Sequence, residues 1–250
     1  MSDPIEIASM QFPRFEYPAF IIQLYTVHGI KALSKQFRYQ HRRPFSRGLM
    51  NRFSPKGIGI EVGVGALTVA PVTRTLLTDG FHSHANYQTL ATHFCKAHQI
   101  SCPAQQFSFV LSEHVLEHLS NPIAALREWL RILKPAGKLF LFLPHKERTF
   151  DRYRSRTPLS HLIQDYETQI SQQDDTHLMD WKTHVLDRNL APHYQGIPFQ
   201  EHSALGIVHH HVWITEDIVE LLIYVGFKII SNVDQVPDRL DSFVVIGEKE

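Results

Sequence analysis

The sequence has only two cysteines, Cys95 and Cys102, and they do not form a CxxC pair. That offers neither a disulfide framework nor a cysteine-based zinc pattern. No run approaches the ~18 apolar residues that a membrane helix needs. No Gly-Lys-Ser/Thr follows the glycines around residue 60, which excludes a P-loop. Formal net charge is zero over 250 residues, so no global field selects nucleic acid. The opening "MSDPIEIASM" lacks a basic region followed by an apolar core, so no signal peptide is expected. These absences predict a soluble, cytoplasmic protein with no nucleic-acid partner.

What is present is uneven. Histidine occurs 17 times. Residues 1–56 carry nine Lys/Arg against Asp3, Glu6 and Glu16. Within them "FRYQHRRPFSR" (37–47) suits an anionic partner, including weak contact with a membrane surface; a solvated helix face explains the same run. Residues 1–56 read as a basic, partly helical extension, irregular over 15–53. Residues 57–250 read as the main domain.

The stretch "GIGIEVGVGA" (57–66) reads as a buried strand entering a tight turn, with Glu61 inside it. The dinucleotide fingerprint needs a third glycine, but Ala66, Leu67 and Thr68 follow Gly63-Val-Gly65. Pro71 spoils a helix there. Too few residues remain before the next strand, "RTLLT" (74–78), for a helical crossover. Asn86–Ala97 can be a helix, and "FSFVLS" (107–112) is a third strand. Asn121-Pro122 is an N-cap with proline at the first helical position. Ile123, Leu126, Leu130 and Leu133 follow at helical spacing. "KPAGK" stops that helix, and "KLFLFLP" is apolar on both faces, as a covered central strand must be. Together these make a βαβ unit in an open α/β sheet. A helix capped by Thr215 and closed by Gly226, then "FKIIS" and "FVVIGEK", end the pattern.

"IEVGVGA", Asp79 ending the second strand, and "FSFVLSEHVLEHLSNPIAALREWLRILKPAGKLFLFLP" together resemble the class I S-adenosylmethionine-dependent methyltransferases, most closely the group called type 11. The likeness covers roughly 57–145 and 213–249, and Leu67 stands where that family has its third glycine. The continuation "LPHKERTFDRYRSRTPLSHLIQDYE" resembles a subset found among carbohydrate-biosynthesis genes. The resemblance implies a Rossmann-like, open, mostly parallel seven-stranded sheet with helices on both faces. It implies S-adenosylmethionine as cofactor and a small-molecule or glycan acceptor, methylated at oxygen or nitrogen. It places Glu61, Gly63, Gly65, Asp79, Ser112, Glu113 and His114 at the cofactor. Physical chemistry agrees. Glycines let backbone approach a ligand, and a strand-end carboxylate such as Asp79 can accept ribose hydroxyl protons.

Residues 145–211 break the periodicity and are rich in histidine. A loop of this length is usually a lid or binding element, and here it is expected to cover the sheet's active edge. A hydroxyl acceptor needs a base, and His145 and His211 are the candidates expected nearest the methyl group. "IVHHHVW" can be extended, with His209, His211 and Trp213 sharing one face. No spacing matches a known metal-ligand motif, so no metal is assigned. Lys146, Arg152, Arg154 and Arg156 near Asp151 could grip an anionic substrate. Two other readings stand beside the enzyme: a methyltransferase-like binding protein whose pocket has drifted, and a His-metal hydrolase.

Overall fold

A computed structural model describes residues 18–84, 87–171 and 175–250. The opening segment, and the start of the helix expected at Asn86, lie outside the described residues. The stretch expected to be irregular and partly helical is mostly helix: α1 (Pro18–His41), kinked at Gly29, and α2 (Pro44–Phe53). Then come β1 (Gly59–Val62), β2 (Thr75–Asp79), a small hairpin of β3 (Ser83–His84) and β4 (Tyr87–Gln88), and β5 (His93–Phe94). β6 (Phe107–Glu113), α3 (Pro122–Ile132) and β7 (Leu133–Pro144) form the βαβ unit. As expected, the Asn121 side chain caps α3, its Oδ1 accepting from the Ala124 N–H at 3.0 Å. The segment after β7 holds α4 (Leu159–Glu167) and α5 (Asp175–Trp181), and α6 (Thr215–Val225), β8 (Phe227–Val233) and β9 (Ser242–Lys249) close the chain.

Seven strands form one open sheet in the order β5-β2-β1-β6-β7-β9-β8. β5 to β7 pair in parallel, and β9 runs antiparallel to both its neighbours. This is the Rossmann-like, mostly parallel sheet expected from the sequence. The chain works outward from β1 to one edge and returns at β6 on the other side. Open α/β sheets bind ligands at such a switch point, outside the carboxyl ends of the strands. Alternation along the strands divides the core. Ile60, Val62, Leu139 and Leu141 pack with Leu126 and Trp129 of α3 and Leu221 of α6. Phe109, Leu111, Phe140 and Phe142 face the other way and meet Leu49 and Met50 of α2.

No helix joins β1 to β2. Residues 63–74 form a loop that α1 bonds at Thr68 and Ala70. The Gln36 amide donates to the Thr68 carbonyl at 2.5 Å and accepts from its N–H at 3.0 Å, and Gln40 donates to the Ala70 carbonyl at 2.7 Å. Val69 and Ala70 then join the α2 face of the core, so α1 and α2 cover ground a first crossover helix would cover.

Two local expectations are corrected. Residues 87–97 are not helical. The Thr89 and Thr92 hydroxyls donate to the carbonyls of Phe81 and Leu77, holding the chain extended until β5 pairs with β2; threonine side chains compete with helix in this way. Thr215 is the first residue of α6, not its cap. The Asp217 carboxylate accepts from the Ile214 N–H at 3.0 Å, while the Thr215 hydroxyl donates to Asp234.

Candidate active site

The turn after β1 is braced from β2. The Gly63 and Val64 N–H groups both donate to the Thr78 carbonyl at 2.9 Å. The Asp79 carboxylate accepts from the Gly65 N–H through one oxygen and the Phe81 N–H through the other, each at 3.0 Å. Gly63 and Gly65 both sit in the left-handed region, at φ +75° and +56°, which favours glycine. Gly63 is required for a second reason. A Cβ there would come within 2.2 Å of the Val115 side chain. The sequence reading gave ligand approach as the reason for this glycine; the structure adds packing of Val115. A valine at this position is therefore expected to disturb the turn itself.

Glu61 lies beneath the turn and is fully buried, with the Thr68 hydroxyl donating to its carboxylate. Burial pushes its pKa well above the ordinary carboxylate range, and the Thr68 bond offsets part of that.

At the carboxyl end of β6, the Ser112 hydroxyl is buried and has no hydrogen-bond partner among the described residues. Glu113 accepts from Arg239 at 2.6 Å and pairs with Arg43 at 2.9 Å. His114, at φ +55°, meets the Ser242 hydroxyl through Nε2 at 2.7 Å and Arg239 through Nδ1 at 3.2 Å. Burial first, then the Arg239 charge, hold its pKa well below that of free imidazole.

Arg43 changes the reading of the basic segment. Its side chain is 5% exposed and lies against Glu113, Asp238 and Ser46. Its charge is spent inside the protein, whereas Lys31, Lys35, Arg38 and Arg42 are exposed on or just beyond α1. The cationic run after β7 is engaged in part, with Arg152 exposed. Arg154 is buried between Asp151 and Asp180, Arg156 pairs with Asp217, and Lys146 donates to Glu147 and the Arg152 carbonyl.

The histidines separate into three environments. His145 ends β7. It accepts from the Glu147 N–H through Nδ1 at 3.2 Å, and its Nε2 stands 3.5 Å from Asp234. Burial and the Arg148 charge lower its pKa against the pull of Asp234.

His209 is held by Asp151, Nδ1 to Oδ2 at 2.6 Å, and Arg154 donates to the other oxygen of Asp151 at 2.9 Å. Burial alone would raise the Asp151 pKa; His209 and Arg154 outweigh it and hold the carboxyl below its ordinary value. The His209 ring packs edge-on to His118, centroids 4.8 Å apart, and tilted against Phe150 and Trp181. His118 belongs to the short 3-10 turn after β6 (Leu116–His118), so His209 reaches the sheet's carboxyl edge. Glu117 in that turn is fully buried, and burial pushes its carboxyl up to about 7, with His209 pulling the other way. Glu117, His118 and His209 converge closely enough to hold a cation or to pass a proton.

His211 is fully buried elsewhere, against His161, His177, Asp165 and the Trp213 indole. The run 207–212 is not part of a strand; its backbone bonds instead to Glu117, Arg154 and Thr157, and His209 and His211 lie in different clusters. Asp151 and His209, 58 residues apart, carried no spacing signal in the sequence.

Beside the β1 turn lies a cleft of about 150 Å³ lined by His28, Ala32 and Lys35 of α1 with Ala66, Thr89 and Leu90. A left-handed glycine turn, a strand-end carboxylate and a buried hydroxyl thus surround the switch point.

Residues 61–141 match a family model described as a methyltransferase domain. The fold around that segment is the Rossmann-like, open, mostly parallel seven-stranded sheet. The cofactor this domain implies is S-adenosylmethionine. The residues present fit it: the Ser112 hydroxyl is a buried polar atom with no hydrogen-bond partner among the described residues, and Asp79 ends β2 beside the glycine turn. No curated protein matches the sequence. Similar solved structures include an S-adenosylmethionine-dependent methyltransferase of Thermotoga maritima, described as a possible histamine N-methyltransferase. It is 16% identical with a TM-score of 0.48, over 88% of this chain and 97% of that one. Another, from Mesorhizobium loti, is 13% identical with a TM-score of 0.47, over 80% and 96%. No helix among the described residues is long and apolar enough to cross a membrane.

Proposed function

We propose that this protein transfers the methyl group of S-adenosylmethionine to an oxygen or nitrogen of a small-molecule or glycan acceptor. The observation that carries the reading is the Asp79 carboxylate bound to the Gly65 N–H at the switch point, within a segment that matches a methyltransferase domain. In this reading Gly63, Gly65, Asp79 and Ser112 contact the cofactor. Glu61, Glu113 and His114 shape the same edge, their polar atoms engaged by Thr68, Arg43, Arg239 and Ser242. The cofactor supplies an activated methyl group on sulfur. The protein's part is to align the acceptor, exclude water and accept a proton.

For that proton the geometry favours His209. Its Nδ1 is tied to Asp151, which fixes the tautomer and leaves Nε2 as the acceptor, the arrangement that orients a general base. His145 at the end of β7 is the second candidate. His211, expected earlier beside it, has Nε2 turned to the Ser120 carbonyl at 3.2 Å inside another cluster. The segment 145–211 would enclose the acceptor against the cofactor.

Asp79→Ala should weaken binding of S-adenosylhomocysteine by about 1–3 kcal/mol, the size of hydrogen bonds to a charged acceptor. Because Asp79 also holds two backbone N–H groups, Asp79→Asn is the companion variant: it keeps an acceptor for the turn while losing the charge. Calorimetric titration of both, with folding checked by circular dichroism, decides the point. Parental affinity in both would move the cofactor site elsewhere.

A further inference from the structure

The His211 cluster lies outside the proposed site. We infer that His161, Asp165, His177 and His211 form a zinc-binding centre that fastens the segment between β7 and α6. In a tetrahedral zinc site with bonds of about 2.0–2.1 Å, neighbouring donor atoms stand roughly 3.3 Å apart. Here the His161 and His177 Nε2 atoms are 3.0 Å apart. Asp165 Oδ2 stands 3.2 Å from His161 Nε2, 3.6 Å from His177 Nε2 and 3.7 Å from His211 Nε2. The four residues offer donor atoms that all lie within 4.8 Å of one another. Four of the six donor–donor separations thus lie between 3.0 and 3.7 Å, and those from His211 to the other two imidazoles stay within 4.8 Å, so the four donors can stand at the corners around one ion.

The donor chemistry agrees. Three imidazoles and one carboxylate suit a borderline ion such as zinc better than calcium or magnesium, which take oxygen. His211 is fully buried beside these ligands. Its Nδ1 has no hydrogen-bond partner among the described residues. The Nε2 contact with the Ser120 carbonyl is a hydrogen bond only if Nε2 carries the proton. With the proton on Nδ1, Nε2 is free to ligate and the carbonyl becomes a further oxygen at the rim.

His161 and Asp165 sit four apart on α4, hence on one helix face. His177 comes from α5, and His211 from the strand-like run before Trp213. Each piece alone has a small core, and four protein ligands close the coordination sphere, as structural zinc sites do. One ion would therefore hold three pieces of the segment covering the sheet edge. This centre stands apart from the cofactor reading, and either can fail without the other.

The test uses the full chain without a histidine tag. Elemental analysis after dialysis should find one zinc per chain, and chelation should lower the melting temperature. Cobalt added to the chelated parent should give the intense visible absorption of a tetrahedral site. His161→Ala, whose side chain is partly exposed, and His177→Ala should each lose stoichiometric zinc, while His209→Gln and His118→Gln retain it. Either of two results would overturn the inference. One is a parent that holds no metal and shows neither a cobalt band nor a melting shift with zinc. The other is metal that persists in both His161→Ala and His177→Ala.

Discussion

His209→Gln is expected to cut methyl transfer by about a hundredfold or more, the usual contribution of a positioned base. The expectation rests on the 2.6 Å contact between His209 Nδ1 and Asp151 and on its ring lying against His118 after β6. Glutamine keeps a polar side chain of similar reach but cannot accept the proton. S-adenosylhomocysteine affinity should stay within about 0.5 kcal/mol of the parent, as for a change remote from the cofactor. Asp151→Asn should also lower turnover, because an amide can favour the wrong imidazole tautomer. His145→Gln is the matched comparison at the other candidate. Transfer of labelled methyl into an acceptor fraction reads all three. Parental turnover in His209→Gln with a large loss in His145→Gln would reassign the base, and parental turnover in both would remove both from the chemistry.

Arg43→Met should destabilise the fold by about 3–5 kcal/mol, the cost of breaking a buried ion pair from one side. Arg43 stands between Glu113 and Asp238, with side chains 5%, 6% and 8% exposed. Removing the guanidinium leaves Asp238 to Ser46 and leaves Glu113 with Arg239 as its remaining cation. Arg42→Met next to it is exposed and should change stability by less than about 0.5 kcal/mol. Denaturant unfolding of the two variants measures the contrast. Equal, small effects would mean that α2 is not fastened to the sheet's carboxyl edge. The pair also reads the basic segment: charge at Arg42 is available to an outside anion, and charge at Arg43 is not.

The βαβ unit was legible because its signals are local. Asn121 caps α3, Pro122 starts it, and Ile123, Leu126 and Leu130 space along it while Leu133 already opens the next strand, which is apolar on both faces over 139–143. The missing crossover helix was legible too, from Pro71 and the short interval to β2. What replaces it was not, because Gln36 and Gln40 reach Thr68 and Ala70 across about thirty residues and glutamine on a helix carries no spacing signal. The helix expected near Asn86 failed over 87–97 because threonine hydroxyls at 89 and 92 found carbonyl partners that propensity cannot foresee.

The site divides the same way. Gly63, Gly65, Asp79 and Ser112 follow the order of strands and could be read in line. The histidines could not. Their number pointed to 145–211, but their partners are distant in sequence: Asp151 with His209, and His161 and Asp165 with His177 and His211. The one local trace was His161 and Asp165 at helical i,i+4 spacing.

The central claim is that the turn at Gly63 and Gly65, with Asp79, holds S-adenosylmethionine. Calorimetric titration of the full chain with S-adenosylhomocysteine tests it most directly. The account predicts saturable binding at one site per chain, weakened in Asp79→Asn and unchanged in His209→Gln. A folded parent that takes up no ligand at millimolar concentration would contradict it.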